Sequence, residues 1–547
     1  MRAMTTGLLA GALLTGTWPA SAPAGTDKGG SFFRNGDRWL LVGDSITNTD
    51  TYRQLMRRVL QHYHPDADIM VGKSAVSGVA SDYQGKGDFK PTLVTIMLGM
   101  NNVIHRDWAY APAAGEVQSL LDAYRKDMTS QVRKYKELGA EVVLMTPTYT
   151  DERVLCYFNT TGTRRFLEKF GAIIREVAAQ EGCHWIPVAE ELEAFQDTLG
   201  ANQNVRPDGV HPYGWGQYQI ARSLWEHLNA AGPLGGPRTV STAVPAPAPV
   251  TVTVSNRFLN APGDGVTLGL AAAAPLEVKA RWSLDGERGE ETLKLGAAPL
   301  LWRVPASANA LTVERGHRKW LVVDLTAGDG SSLYVIDLAR TRVLHPVDGV
   351  IQGTFESEQD RPGGRHVGTW SLREQADELQ IAGEVADSEI VPTRDWPFAR
   401  DGVHIYLDAR PAERLASVNP DRDVYMVILG VRAKPDFAVS PMAWLGPRLQ
   451  YAFSASGERT ATGYRFRLGV HGGFCDYRKF DIRAVDCYGI NLYAIDADDT
   501  PNATGVFPAQ RTEVDGNPVQ ALNLLMIVDR KGVLPGNETT TVQVFGR

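Results

Sequence analysis

A chain of 547 residues exceeds what one hydrophobic core organises, so several domains are expected. Its net charge of -7 comes from 56 lysines and arginines scattered among 63 acidic residues, and no basic stripe marks a nucleic-acid or anionic-membrane partner. With only 4 cysteines, disulfides cannot be the main framework.

The chain opens with Arg2, an apolar stretch from about Leu8 to Trp18, and then Ala22-Pro23-Ala24. This is the layout of a secretory signal peptide over residues 1–24, cleaved after Ala24. The apolar stretch is short of the ~20 residues that span a bilayer. The expectation is a secreted or periplasmic protein with no membrane span after cleavage. Cys475 and Cys487 are close enough in sequence to bridge after export; Cys156 and Cys183 read either as a second pair or as small buried hydrophobes.

Residues 25–231 read as an α/β domain. The runs 38–43, 67–72, 92–99, 141–147 and 184–189 predict strands buried on both faces. Between them lie amphipathic stretches such as 115–138, where Val117, Leu120, Leu121, Tyr124, Met128, Val132 and Tyr135 recur at helical spacing. Strand–helix alternation of this kind implies a parallel sheet covered by helices on both faces, with ligands beyond the carboxyl ends of the strands.

Proline, glycine and small residues over 232–250 then predict a semi-extended linker. Beyond it, short strand-like runs separated by turn residues predict antiparallel sandwiches, divided near 345 into a domain of unknown role (251–345) and a larger one (346–547).

Attack on an ester carbonyl needs an activated hydroxyl, a base, a group that orients the base, and donors for the oxyanion. The α/β region offers all of these at the predicted ligand edge of the sheet. Gly43-Asp44-Ser45 follows the first strand, the segment holding Gly78 the second, and Gly99-Met100-Asn101-Asn102 the third. Asp208 and His211 share a loop before the last helix. Taken singly, Ser45, His211 and Gly78 are ordinary loop and turn residues; they gain force only together.

These blocks, in this order, resemble the SGNH or GDSL-type hydrolase family over roughly residues 35–230. The resemblance implies a three-layer, flavodoxin-like α/β domain whose mechanism needs no metal or cofactor. It makes Ser45 the nucleophile, His211 the base and then acid, and Asp208 the group orienting His211. The backbone N–H groups of Ser45 and Gly78 and the side-chain amide of Asn101 would form the oxyanion hole. One departure is visible: the family's third block usually ends in an aspartate credited with structural support, where this chain has Asn102.

The region 350–547 resembles family-nine carbohydrate-binding modules on looser patterns. That makes Trp370, Trp396 and Trp444 the candidate stacking platforms for sugar rings, against the alternative that any of them is core. The acidic run 496–499 reads as a solvated turn rather than a calcium site. The resulting expectation is a secreted serine esterase removing O-acyl groups, acetyl foremost, from an acylated carbohydrate. The alternatives are a lipase or simple-ester hydrolase with the same triad, and a non-catalytic carbohydrate-binding or scaffold protein. Oligomeric state is not legible.

Overall fold

The computed structural model describes residues 30–355 apart from 86–88, 105–107, 109–111, 155–159, 200–203, 241–247, 256–258, 260–264, 313–317, 329 and 340–341. Beyond 355 it describes 368–375, 378–387, 402–408, 424–432, 438–445, 453–471, 487–495, 526–529 and 540–541. The expected signal peptide 1–24, Cys156, Cys475, Trp396 and the acidic run 496–499 lie outside these residues, as do the side chains of Cys487 and Trp444. Cys183 carries a free thiol. Among the described residues no helix is long and apolar enough to cross a membrane.

Short aliphatic runs form the first sheet: β1 (Arg38–Gly43), β2 (Met70–Ala75), β3 (Leu93–Met97), β4 (Glu141–Met145) and β5 (His184–Ile186). They pair in parallel in the order β2-β1-β3-β4-β5, the flavodoxin-like order. The central strands β1, β3 and β4 are buried almost throughout, as expected of a parallel sheet covered on both faces. β2 departs from the expectation: at the sheet edge beside β1 it buries only Val71 and Ser74 and leaves Met70 46% exposed. A strand at the sheet edge has fewer neighbours against which to bury its side chains.

The helices are α1 (Ser45–Asn48), α2 (Thr51–Tyr63), α3 (Ala114–Glu137), α4 (Arg164–Glu181), α5 (Val188–Asp197) and α6 (Trp215–His227). α3 packs on α4, and α6 packs on both α2 and α5. Along α3 the side chains of Leu120, Tyr124, Met128, Val132 and Tyr135 are buried, and Tyr124 stacks on Phe170 of α4 with ring centroids 3.9 Å apart. Glu116 in its first turn and Lys134 and Lys136 in its last complement the helix dipole.

The start of the predicted linker packs on this domain. Ser31 N–H donates to the Pro233 carbonyl at 2.7 Å, while Arg238 reaches the Asp37 carboxylate at 2.6 Å and the Phe32 carbonyl at 3.0 Å. Leu234 and Val240 rest against the first core.

The second domain contains β6 (Thr251–Ser255), β7 (Thr267–Ala271), β8 (Leu276–Leu284), β9 (Glu287–Leu295), β10 (Leu300–Arg303), β11 (Arg318–Ala327) and β12 (Gly330–Ala339). β10, β7 and β6 form one antiparallel sheet and β12, β11, β8 and β9 another, and both feed one core. In β11 the alternation supplies two cores. Leu321, Val323 and Leu325 face the core of the second domain, whereas Trp320 and Val322 join that of the first. The near-continuous apolar runs of β11 and β12 thus mark the part of this sheet that is buried on both faces, α2 lying against β11 on the outer one.

Polar groups sit within that interface. His62 Nδ1 lies 2.8 Å from Ser283 Oγ, Arg281 pairs with the buried Asp324, and its guanidinium lies over the Tyr63 ring at 5.7 Å. Burial pushes the His62 imidazole down to about 4; the Asp324 charge opposes this and the Arg281 charge adds to it.

The remaining strands, apart from Thr540–Thr541, form two further sheets around a third core, and the chain crosses the expected division near 345 in both directions. Strand Arg342–Leu344 pairs in parallel with Met526–Asp529, and Thr540–Thr541 returns to pair with β6 of the second domain. Trp370 is 4% exposed and belongs to the third core, and a Cβ on Gly353 would lie 2.2 Å from its ring. It is not open to a sugar ring. The strand alternation that places Leu372 inside also places Trp370 inside, two residues away.

Candidate active site

β1 ends in a glycine for a steric reason. A Cβ at Gly43 would lie 1.9 Å from Thr47 Oγ1 and 3.0 Å from the Met97 carbonyl oxygen, so only glycine lets the chain turn directly from the strand into α1. Asp44 caps that helix, its carboxylate accepting the Ile46 N–H at 2.9 Å. Ser45 is therefore presented at the carboxyl end of β1, where the strand order reverses between β2 and β3.

The partner loop is built around one carboxylate. Asp208 Oδ1 accepts the backbone N–H groups of Val210 at 2.9 Å and His211 at 2.7 Å, a turn that Gly209 permits at φ +79°. Its Oδ2 lies 2.6 Å from His211 Nδ1 and also accepts the Tyr213 hydroxyl at 3.4 Å. An ionised carboxylate only accepts, so Nδ1 carries the proton and Nε2 presents its lone pair. That Nε2 lies 2.8 Å from Ser45 Oγ.

Burial opposes a charged His211, but the Asp208 carboxylate, its hydrogen bond and the nearby Asp44 charge together hold the imidazole above its ordinary value. Asp44 itself is pushed up to about 6 by burial, against the lowering effects of the Ile46 N–H and the His211 charge.

Gln217, on α6, joins the two halves of the site. Its amide donates to the Ile46 carbonyl at 3.2 Å and to the Pro212 carbonyl at 2.9 Å, the residues immediately after Ser45 and His211, while its oxygen accepts the Tyr52 N–H at 3.3 Å. Arg206, also buried, donates to the Tyr149 carbonyl at 3.0 Å and pairs with Glu193, anchoring the start of the Asp208 loop. Sequence reasoning singles out neither residue. The available signal is a glutamine on the otherwise apolar face of a helix and an arginine two residues before the aspartate.

Gly78 adopts φ +83° with open space where its Cβ would be, so its glycine is required by backbone conformation rather than by contact. Asn48 Nδ2 donates to Ser77 Oγ at 3.3 Å, linking the end of α1 to this loop. Asn101 lies in the 3₁₀ turn Met100–Asn102, and its amide donates to the Val79 carbonyl at 2.9 Å, tying the third block to the second. The structure thus brings Ser45, Asp208 and His211 into one hydrogen-bonded chain, and the segments of Gly78 and Asn101 into contact with each other. A hydroxyl facing an imidazole lone pair, with a carboxylate behind the ring, is suited to nucleophilic attack with proton transfer.

The class suggested by this fold and geometry is met in sequence: residues 41–220 match the GDSL-like Lipase/Acylhydrolase family. Among individual proteins, the chain is 25% identical over 222 residues to an acetylxylan esterase of Geobacillus stearothermophilus, a match covering 36% of this chain and 94% of that protein. Similar solved structures include the Geobacillus stearothermophilus acetylxylan esterase Axe2, at 24% identity over 36% of this chain and 95% of that one, TM-score 0.30. Another is LAE5, an alpha/beta hydrolase enzyme from the metagenome of Lake Arreo, Spain, at 20% identity over 37% of this chain and all 100% of that one, TM-score 0.31.

Proposed function

We propose that the chain is an exported serine esterase that removes O-acetyl groups from a carbohydrate. The observation that carries the reading is the hydrogen-bonded series from Asp208 through His211 to Ser45 Oγ, with contacts of 2.6 and 2.8 Å.

Ser45 Oγ attacks the ester carbonyl while its proton passes to His211 Nε2, and Asp208 stabilises the imidazolium. The Ser45 and Gly78 N–H groups and the Asn101 amide receive the oxyanion. As the tetrahedral intermediate collapses, the ester C–O bond breaks and the sugar hydroxyl leaves with the proton from His211. Water then attacks the acyl-enzyme by the same base, releasing acetate and restoring Ser45.

Acetyl and carbohydrate are favoured by the similarity to an acetylxylan esterase. In this reading the third domain binds the glycan through surfaces other than Trp370, and the leader 1–24 directs export. The test measures acetate release from acetylated xylan and other acetylated glycans beside turnover of an aryl acetate and a long-chain ester, for the parent and Ser45→Ala. Absence of aryl-acetate turnover, or its survival in Ser45→Ala, sinks the esterase reading. Preference for the long-chain ester transfers the substrate to the lipase class.

A further inference from the structure

The loop that carries Gly78 is held by a hydrogen-bond arrangement in which the direction of each bond at Ser81 N–H and Oγ can be assigned. Ser81 is fully buried. Its backbone N–H donates to Asn102 Oδ1 at 3.1 Å, and its hydroxyl donates to Asp127 Oδ2 of α3 at 2.7 Å. Asn102 Nδ2 in turn donates to Ser81 Oγ at 2.8 Å. The orientation of the Asn102 amide follows from the Ser81 N–H, which needs an oxygen opposite it. The single hydroxyl proton of Ser81 is committed to Asp127, since an ionised carboxylate can only accept, so Ser81 Oγ has to receive its second bond from a donor.

We infer that Asn102 and Asp127 are positioning residues for ester hydrolysis, acting through Ser81. Asn102 directly follows Asn101, whose amide grips the Val79 carbonyl in the same loop. The two asparagines therefore bond the loop at Val79 and at Ser81, on the side of Gly78 away from β2. The orientation of the Gly78 N–H depends on that double attachment, and the inference rests on the esterase reading in which that N–H serves the oxyanion.

The supply of protons makes the two positions unequal. In Asn102→Asp, two carboxylates face one Ser81 hydroxyl with one proton between them, so the bond to Ser81 Oγ is lost and only the Ser81 N–H still ties the loop to residue 102. In Asp127→Asn, the new carbonyl oxygen still accepts the Ser81 hydroxyl and Asn102 still donates, so the arrangement survives in neutral form. In the double variant the directions reverse: Ser81 donates to the carboxylate at 102 and accepts from the amide at 127.

The experiment determines kcat and KM for an aryl acetate in the parent, both single variants and the double variant, with circular dichroism to verify folding. Amide hydrogen exchange of the peptide spanning 78–82 reports the clamp independently of turnover. Asn102→Asp should lower kcat at least about tenfold with KM changed less than about twofold, because the oxyanion donors act in the transition state. Asp127→Asn should stay within about threefold of the parent, and the double variant should regain most of the loss, with exchange protection following the same order. A folded Asn102→Asp with parental kcat, or a double variant no faster than Asn102→Asp, overturns the inference. Exchange that follows the expected order in a parent unable to hydrolyse the ester supports the clamp and removes the esterase reading instead. If Asn102→Asp does not fold, Asn102→Ala, which removes the Ser81 contacts without adding charge, should show the same kcat loss with KM retained; parental kcat there overturns the inference.

Discussion

Asp208 accepts two hydrogen bonds from His211, one from its backbone N–H at 2.7 Å and one from imidazole Nδ1 at 2.6 Å. The same carboxylate thus shapes the loop and selects the tautomer. An asparagine at 208 can keep only one oxygen, and its NH₂ would turn the imidazole's lone pair toward itself. Asp208→Asn is expected to leave a folded protein with kcat reduced by about 10²–10⁴, read by aryl-acetate turnover beside a thermal melt.

The acid limb of kcat/KM is expected above 6.5, the ordinary histidine value, because Asp208 and Asp44 hold protonated His211 in place more than burial expels it. In the proposed mechanism activity requires the neutral ring, so it is expected to fall as pH drops through the raised value. Stability follows the opposite course: the contribution of protonated His211 is full below the unfolded-state value and is lost as pH rises through the folded one. Asp44→Asn keeps an oxygen to cap Ile46 and removes a charge, so it should move the acid limb downward in a pH–rate profile. An unmoved limb would exclude Asp44 as a contributor.

Gln217 is expected to matter for rate as well as stability. In Gln217→Leu, the Ile46 and Pro212 carbonyls and the Tyr52 N–H lose their glutamine partner, at roughly 1–3 kcal/mol for each group left unsatisfied. Urea unfolding should show the destabilisation. The kcat of the fraction still folded should fall more than KM rises, since Ser45 and His211 lose the bridge between their segments.

His62 at the contact between the first two domains is held neutral, with its value lowered to about 4. Its contribution to stability is present above the unfolded-state value near 6.5 and is lost as pH falls from there toward 4. Thermal melts of the parent should therefore weaken over this range, and His62→Gln, which can still bond Ser283 without titrating, should weaken less.

Every candidate catalytic group lies before the linker, so removal of residues 346–547 is expected to leave small-ester hydrolysis almost unchanged. The tertiary structure adds a loss of stability: the cut strips Thr540–Thr541 from β6 and Met526–Asp529 from strand Arg342–Leu344. The truncated protein should hydrolyse the aryl acetate at near-parental kcat but melt at a lower temperature. Equal losses of kcat and stability would mean that the third domain supports the site itself.

The strands and helices of the first domain are legible in the sequence because local periodicity suffices for them: aliphatic runs such as 38–43 and the stripe of α3 are dictated by what must be buried, whichever neighbour buries it. Ser45, Asp208 and His211 are legible because short blocks carry their own turn geometry, glycine before the serine and a carboxylate three residues from the histidine. The apolar runs 320–325 and 333–338 are also visible, but which domain covers their second face is not. Trp370 shows the limit on the other side, for an aromatic residue reads alike whether it lines a surface or fills a core. Partners distant along the chain are settled by tertiary structure alone: Gln217 between the Ser45 and His211 segments, Asp127 beneath Ser81, Thr540 beside β6. A side chain's own neighbours in sequence determine its direction, whereas a hydrogen-bond partner is determined by where two independently folded segments come to rest.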